Sequence, residues 1–530
     1  MADLEEGRGR KWLQQASKEE VLDPSPQAAP AHSQSPSSHN KDDKIEILEW
    51  TPNDARNPYN WSSSRKWITA ALTLFGTFVL TLNGTGITIA ADEISEEFHI
   101  IDTSTFSNTY WMVFSWNMGG AFFVLFLPLL EDFGVKRPYM LFYTLFFCMV
   151  IPQALAQNYA TLIVTRIISG GCTAVLANTI ASAIPDLWES DSARSVPVGL
   201  YILLYVVGNT AGPVVFSPVM QYIGNWRWIF YIQLIVYGAL APVYLFFLPE
   251  TRGHTILGNE AKRIRKESGR PVYTVQQRDA LPIKERLLKS VARPLYLLFT
   301  EPVLLASTVW SAFALGLVFA FTQSTEQVFQ ELYGWTAYQC GYVQAAVVIG
   351  ELLGWPITLY GTNLYLKSAR RNREDPGRPI PEARLYVSVF GSFVGITSGM
   401  FVYAWTSYPF LPWYAPAIGL AMVGFGIQIV VCVIADYVVD LYAASDFAGS
   451  AIAAVVVGEQ IVAAALPLAE ASMYTNLGFQ WASSLLGFIA LLLSLIPLVF
   501  IWQGRNLRER SPFMKSNGMK SDDKVTVEKL

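Results

Sequence analysis

Residues 481–502 read WASSLLGFIALLLSLIPLVFIW, twenty-two in succession without an acid or a base. A run of about 18 or more such residues is long enough to cross some 30 Å of hydrocarbon as a helix. Residues 67–90 and 141–157 are likewise uncharged. No water reaches the hydrocarbon to satisfy backbone groups, so each run must bond within itself and is expected to be helical. The short alternating segments of a membrane β-barrel do not occur. Across the 530 residues, 52% are hydrophobic and 15% are charged, where a soluble globular chain carries about 25% charge. Twelve spans are expected, near 67–90, 106–128, 138–157, 160–186, 196–219, 228–248, 300–324, 339–360, 385–406, 413–437, 447–470 and 480–503.

The basic residues set the orientation. Of 38 Lys and Arg, all but Arg166 and Arg227 fall before span 1, in every second connection, or after span 12. Positive charge stays cytoplasmic, so both termini and the long connection after span 6 are expected inside. The resulting plan is a disordered N-tail (1–66), six helices (67–248), a central cytoplasmic loop (249–299), six more helices (300–503) and a C-tail (504–530). The N-tail contains a Ser/Pro/Gln-rich stretch at 24–38 and no apolar core of a signal peptide. Arg227, between Trp226 and Trp228, is expected to be an interfacial anchor.

Cys148, Cys172, Cys340 and Cys432 lie within expected spans without metal-site spacing and read as small apolar packers. His32, His39, His99 and His254 lie outside the spans, which excludes an intramembrane histidine relay. The phosphate-binding pattern Gly-x4-Gly-Lys-Ser/Thr is absent. An enzyme or ATP-driven pump is therefore not expected, and neither a cofactor nor a nucleic-acid partner is called for.

A charge at the bilayer centre costs roughly 2.5–3.5 kcal/mol on insertion scales, so such residues face a cavity or a partner. Arg166, two turns into span 4, is expected to take part in proton coupling by holding a carboxylate or water network and lowering a neighbour's pKa; a structural salt bridge or snorkelling is the plainer reading. Glu351 in span 8 and Glu459 in span 11 are candidates for proton coupling, because surroundings govern when a carboxyl takes up or releases a proton. Polar links between helices are the plainer reading for both. Glu470 lies further toward the outside, while Asp436 and Asp440 at the inner end of span 10 read as solvated or salt-bridged.

The halves share a pattern. Gly199 and Gly208 of span 5, followed by Pro213, match Gly449 and Gly458 of span 11, followed by Pro467. Parallel six-helix repeats are the plan of transporters that rock about a central site, and glycines also permit close helix packing. Tyr201, Tyr205, Gly208 and Gly212 share one face of span 5, a potential hinge and pocket wall.

These motifs resemble those of fungal members of the major facilitator superfamily, in its twelve-spanner drug:proton antiporter family. The resemblance runs from about Asn57 to span 12. Asn57-Pro58-Tyr59-Asn60-Trp61-Ser62 is similar to the family's entry into span 1. Residues 127–138, with Glu131, Asp132, Gly134, Lys136 and Arg137, resemble the superfamily's cytoplasmic gating loop, in which acids and bases form a breakable latch; Leu127 replaces its first glycine and Val135 shifts the basic pair by one place. Gly199, Gly208, Gly212 and Pro213 resemble the antiporter motif of span 5, with Phe216-Ser217 where two glycines usually close it. Pro249-Glu250-Thr251-Arg252, Arg293-Pro294, Glu301-Pro302 and Pro381-Glu382-Ala383-Arg384 match at their expected loops. Where many relatives carry an arginine ahead of the span 11 proline, Glu459 stands here.

The resemblance implies a monomeric secondary transporter that works by alternating access on a proton gradient, in the plasma membrane or, as the alternative, the vacuolar membrane. Its partners would be lipid, protons and a small organic substrate. Efflux of an amphipathic drug, toxin or secondary metabolite is the expected direction; import of a nutrient by symport and a non-transporting receptor are the rivals. A midplane pocket is expected from Tyr110, Asn117, Tyr205, Asn209, Trp310, Gln323 and Gln344, beside Glu351, because aromatic and amide walls suit such ligands.

Overall fold

In the computed structural model, residues 46–103, 106–278, 282–372, 377–442, 447–511 and 513 are described. Residues 1–45 and 514–530, most of the expected tails, lie outside them. Apart from a two-residue parallel strand pair, the secondary structure described is helical.

The spans follow the expected order. Span 1 is Ser63–Gly86, span 2 is Trp111–Val124 with Leu127–Glu131, span 3 is Lys136–Ala154, span 4 is Tyr159–Ala183, span 5 is Asp191–Thr210 with Gly212–Tyr222, and span 6 is Arg227–Phe247. Span 7 is Pro302–Tyr333, span 8 is Ala337–Val343 with Ala345–Ser368, span 9 runs from Leu385 to Thr406, span 10 is Tyr414–Tyr442, span 11 is Ala448–Leu477, and span 12 is Phe479–Leu493 with Ile496–Arg510. Ten of these are long and apolar enough to cross a membrane by length and composition alone. The other two are spans 2 and 3: one is split into pieces of 14 and 5 residues, and the other is 19 residues long with Lys136 and Arg137 in its first turn.

Breaks fall where the chemistry demands them. Pro213 cannot donate a backbone hydrogen bond, so span 5 restarts at Gly212 with this proline in its first turn. Pro497 does the same in span 12. Span 9 widens to a π-helix over Gly391–Thr397, where Gly395 abuts the Gly426 backbone of span 10.

Glycines bring the helices together in both halves. A Cβ on Gly119 (span 2) would stand 1.9 Å from Ile167 O, and one on Gly170 (span 4) 2.1 Å from Trp116 O. In the second half, a Cβ on Gly350 (span 8) would stand 1.9 Å from Ala421 O, and one on Gly424 (span 10) 2.2 Å from Val347 O. The span 5 and span 11 repeat behaves likewise: Gly208 fits against Thr81 of span 1, and Gly458 against Thr308 of span 7. At this pair the sequence repeat is a packing repeat, and small residues at helix crossings are its cause; Gly199 and Gly449 do not share it.

Two expectations need adjustment. Residues 46–66 are not featureless tail: Glu46–Ile47 pairs with Val272–Tyr273 of the central connection, Arg56 meets Glu260 at 2.9 Å, and Ser62 caps span 1. Polarity shows that this segment avoids lipid, not that it lacks partners. At the other end, span 12 stays helical to Arg510. The central connection holds helices at Gly253–Ser268, Val275–Arg278 and Ile283–Thr300. Arg227 sits beside Trp226 and also ion-pairs with Glu97 at 2.6 Å, tying span 6 to the helix after span 1.

Candidate functional site

A cavity of about 390 Å³ runs from the inner helix ends to mid-span. Glu131, Arg252, Arg384, Asp436 and Asp440 line its inner end, Val198, Ile202, Val431, Val455 and Val456 its walls, and Tyr201, Tyr205 and Glu459 its deeper part. The charged rim lies on the side of the basic connections, so the cavity belongs to the cytoplasmic face. On the opposite side the halves touch. Tyr110 OH donates to Thr322 O at 3.2 Å, Ser107 N to Leu468 O at 3.0 Å, and Tyr342 OH to Gln221 Oε1 at 2.8 Å. A Cβ on Gly341 would stand 2.2 Å from Ser217 Oγ. The arrangement is inward-facing.

Of the seven expected pocket residues, Tyr205 lines this cavity. The other six are buried outside its lining: Tyr110 in the outer closure, Asn117 with its amide donating to Val113 O, Asn209 donating to Tyr205 O, Gln344 donating to Phe321 O, and Trp310 and Gln323 on span 7. Sequence gives the depth of a residue but not the face it turns to the other half, and that separates these six from Tyr205.

The cavity's deep acid is Glu459, buried and accepting from Ser311 Oγ of span 7. Its neighbour Gln460 donates to Tyr205 OH at 3.3 Å and so links span 11 to span 5. Glu351 lies outside the cavity lining, fully buried. Its Oε1 accepts from Thr210 Oγ1 at 2.5 Å, joining span 8 to span 5, while Oε2 has no partner among the described residues.

Arg166 is a correction. Among the described residues it reaches no carboxylate. Its guanidinium donates to Asn83 O (3.2 Å), Gly84 O (2.7 Å) and Met112 O (2.7 Å), with the Trp116 ring 5.1 Å away. Span 1 ends at Gly86, so the carbonyls of Asn83 and Gly84 belong to its last turn, where no further turn supplies donors. A fixed positive fork there satisfies them and complements the negative end of the helix dipole. Arg166 therefore caps a broken helix inside the membrane. Depth in the sequence signals that such a charge needs a partner, but backbone carbonyls serve as well as a carboxylate.

The gating loop also differs from expectation. Gly134 has φ +91°, a left-handed turn that glycine adopts freely. Beside it the Glu250 carboxylate accepts from the backbone N–H of Val135 (2.9 Å) and Lys136 (3.1 Å). The acids pair with the central connection and the end of span 6 rather than with Lys136 and Arg137: Asp132 meets Arg286 at 2.9 Å, and Glu131 meets Arg252 at 3.5 Å. Arg252 also meets Asp186, at 3.2 Å. In the second half, Arg384 joins Asp436 (2.9 Å) and Asp440, and Arg508 joins Glu382. The Pro-Glu-Thr-Arg and Pro-Glu-Ala-Arg motifs supplied the signal for Arg252 and Arg384. Only the fold showed that both reach the cavity rim.

The antiporter motif divides its work. Tyr201 and Tyr205 face the cavity, whereas Gly208 and Gly212 pack on span 1, where Cβ atoms would stand 2.0 Å from Thr81 Oγ1 and 2.2 Å from Thr85 Oγ1. Gly199 lies toward Trp355 of span 8. Asn178 was not singled out by sequence; it lies twelve residues beyond Arg166 on span 4 and lines the cavity.

Comparison with known proteins agrees with this architecture. The Major Facilitator Superfamily profile matches residues 73–466. The chain is 32% identical to the MFS transporter paaT of Penicillium rubens, covering 90% of this chain and 85% of that protein. It is 31% identical to the efflux pump radE of Floropilus chiversii, covering 88% and 86%. Among solved structures, the proton:xylose symporter XylE superimposes with a TM-score of 0.60 at 14% identity, over 84% of this chain and 96% of that one. By sequence profile, by relatives across most of its length and by its helical plan, this chain belongs to the Major Facilitator Superfamily.

Proposed function

We propose that the chain exports an amphipathic organic compound, such as a drug, toxin or secondary metabolite, in exchange for protons. The observation that carries this reading is the inward-facing cavity, whose aliphatic and tyrosine walls end on one buried acid, Glu459. Apolar walls with few polar groups suit an amphipathic guest taken from the cytoplasmic side. A carboxyl in that position is reached by water and substrate from one side at a time, the requirement for exchanging a proton against a substrate. The efflux pump radE, alike over most of both chains, supports the direction. Alternating access would close the inner side by bringing the two charged rim clusters together. Glu351, bonded across spans 5 and 8, is the second coupling candidate. The site of action is the plasma membrane, the protein a monomer, and the energy source the proton gradient.

The test is retention of a panel of lipophilic dyes and toxins in pump-deficient yeast, with and without a protonophore, beside expression-matched Glu459→Gln. Lower retention that disappears with the protonophore and in the variant is the expected result. Higher retention under the same controls would replace export with import. Unchanged retention of every compound would leave a narrow substrate or a receptor.

A further inference from the structure

Span 11 carries a second buried acid, Glu470, three helical turns outward of Glu459. It is fully buried, and among the described residues neither carboxyl oxygen accepts a well-formed hydrogen bond: the Ser324 hydroxyl of span 7 stands beside it but is also turned to Ala320 O. Tyr403 of span 9 and Tyr474 of span 11 stand near it, and Tyr403 OH lies beside the Ser324 and Thr325 hydroxyls without a well-formed hydrogen bond to either. A bare carboxylate is not held dry without donors or a positive partner. The group therefore calls for a neutralising cation.

Its position says what that cation does. Leu468, two residues away, accepts the Ser107 hydrogen bond that joins the halves on the outer side. Tyr110, the other outer tie, faces both Glu470 and Glu326. Glu326 accepts from Gln330 at 3.0 Å and faces Asp92 of the opposite half. Closing the outer side thus buries Glu470 at the tie between the halves and sets Glu326 toward Asp92 of the opposite half, and a negative carboxyl taken out of water opposes closure.

We infer that Glu470 is a proton site of the outer closure, separate from the cavity acid: the halves meet on the outer side when a proton occupies it, and its negative form draws in water and parts them. A proton taken from outside would then drive the return to the inward-facing form. This use in transport rests on the antiport reading, whereas the pH response of the closure does not.

The experiment uses the full chain in lipid nanodiscs, with the exposed Cys148 replaced by serine and spin labels at Tyr222→Cys and Asn476→Cys. Pulsed EPR would follow the short-distance, closed population between pH 5 and 8 at fixed sodium. The closed share should fall at least threefold toward high pH in the parent. Glu470→Gln should stay closed throughout, and Glu459→Gln should keep the parent's response. Glu470→Asp, which retains a carboxyl, should respond with a shifted midpoint and serves if the glutamine variant folds poorly. A flat parent profile, an unaltered response in Glu470→Gln, loss of the response in Glu459→Gln, or a closed share that follows sodium at fixed pH would each overturn the assignment. An intact response in a protein whose transport ignores protonophores would overturn only the antiport reading.

Discussion

The two halves pack alike and are charged differently. Gly119 and Gly170 in the first half and Gly350 and Gly424 in the second press against opposite backbones at nearly the same distances. In that register Ile167 corresponds to Ala421, so Arg166 stands where the second half has Leu420. Likewise Gly208 corresponds to Gly458, so Asn209 stands where the second half has Glu459. The first half spends its one deep cation on its own backbone, as a helix cap. The second half keeps deep acids: Glu351 bonded to Thr210 of the other half, Glu459 in the cavity, and Glu470 at the outer closure. Packing at these crossings is thus common to both repeats, while the deep acids are gathered in the second half.

The largest effect that would test this division is at Arg166. Arg166→Ala strands three buried carbonyls, each worth about 1–3 kcal/mol, and should remove most folded protein as judged by fluorescence-detected size exclusion. Arg166→Lys should rescue little, since an ammonium lacks the planar fork. A well-folded Arg166→Ala that fails only in transport would return this residue to proton coupling.

The glycines test the shared part. Gly170→Ala and Gly424→Ala each force a methyl into a facing carbonyl and should cost roughly 2–3 kcal/mol, equally in both halves, in thermal melts. Gly238→Ala, whose Cβ would lie 3.8 Å from Phe147, should be near neutral. Unequal losses at 170 and 424 would break the packing equivalence.

The rim clusters come next. Arg384→Gln leaves Asp436 and Asp440 side by side and should cost about 2 kcal/mol, less than the full value for breaking a buried pair. Arg252→Gln, whose partners are more exposed, should cost about 1 kcal/mol. The reverse order, read by the same melts, would place the more buried lock in the first half.

The smallest effect is at His254, beside Arg252. Burial, then the Arg252 charge, hold its imidazole below the ordinary value of 6.5. The unfolded chain therefore binds this proton first as pH falls, and stability declines as pH drops through about 6.5 and below. His254→Gln should flatten a small part of the melting-temperature slope between pH 7.5 and 5.5. An unchanged slope would show that burial and Arg252 do not hold the His254 imidazole down.

Much of this was legible beforehand because the bilayer imposes few solutions. Apolar run length gave the spans, and alternation of Lys and Arg placed the cavity's charged rim on the cytoplasmic side. The Gly199/Gly208 and Gly449/Gly458 spacing announced a repeat that the packing shows at Gly208 and Gly458 but not at Gly199 and Gly449. Spans 2 and 3 were found although length and hydropathy alone pass over them, since the basic pair Lys136-Arg137 fixed the connection between them. The pocket was less legible. Tyr110, Gln344 and Tyr205 are all polar or aromatic residues in apolar helices, and nothing local distinguishes the two at helix contacts from the one at the cavity.

By itself the sequence determined what each segment can tolerate: which stretches dissolve in lipid, which side holds positive charge, where a proline or glycine must interrupt or admit a helix. Tertiary structure decided what each buried polar group meets, because a partner comes from a distant helix whose rotation and register are set by packing. The pairing of Arg166 with the end of span 1, of Glu351 with Thr210, and the burial of Glu470 beside Ser324 are all decisions of that kind.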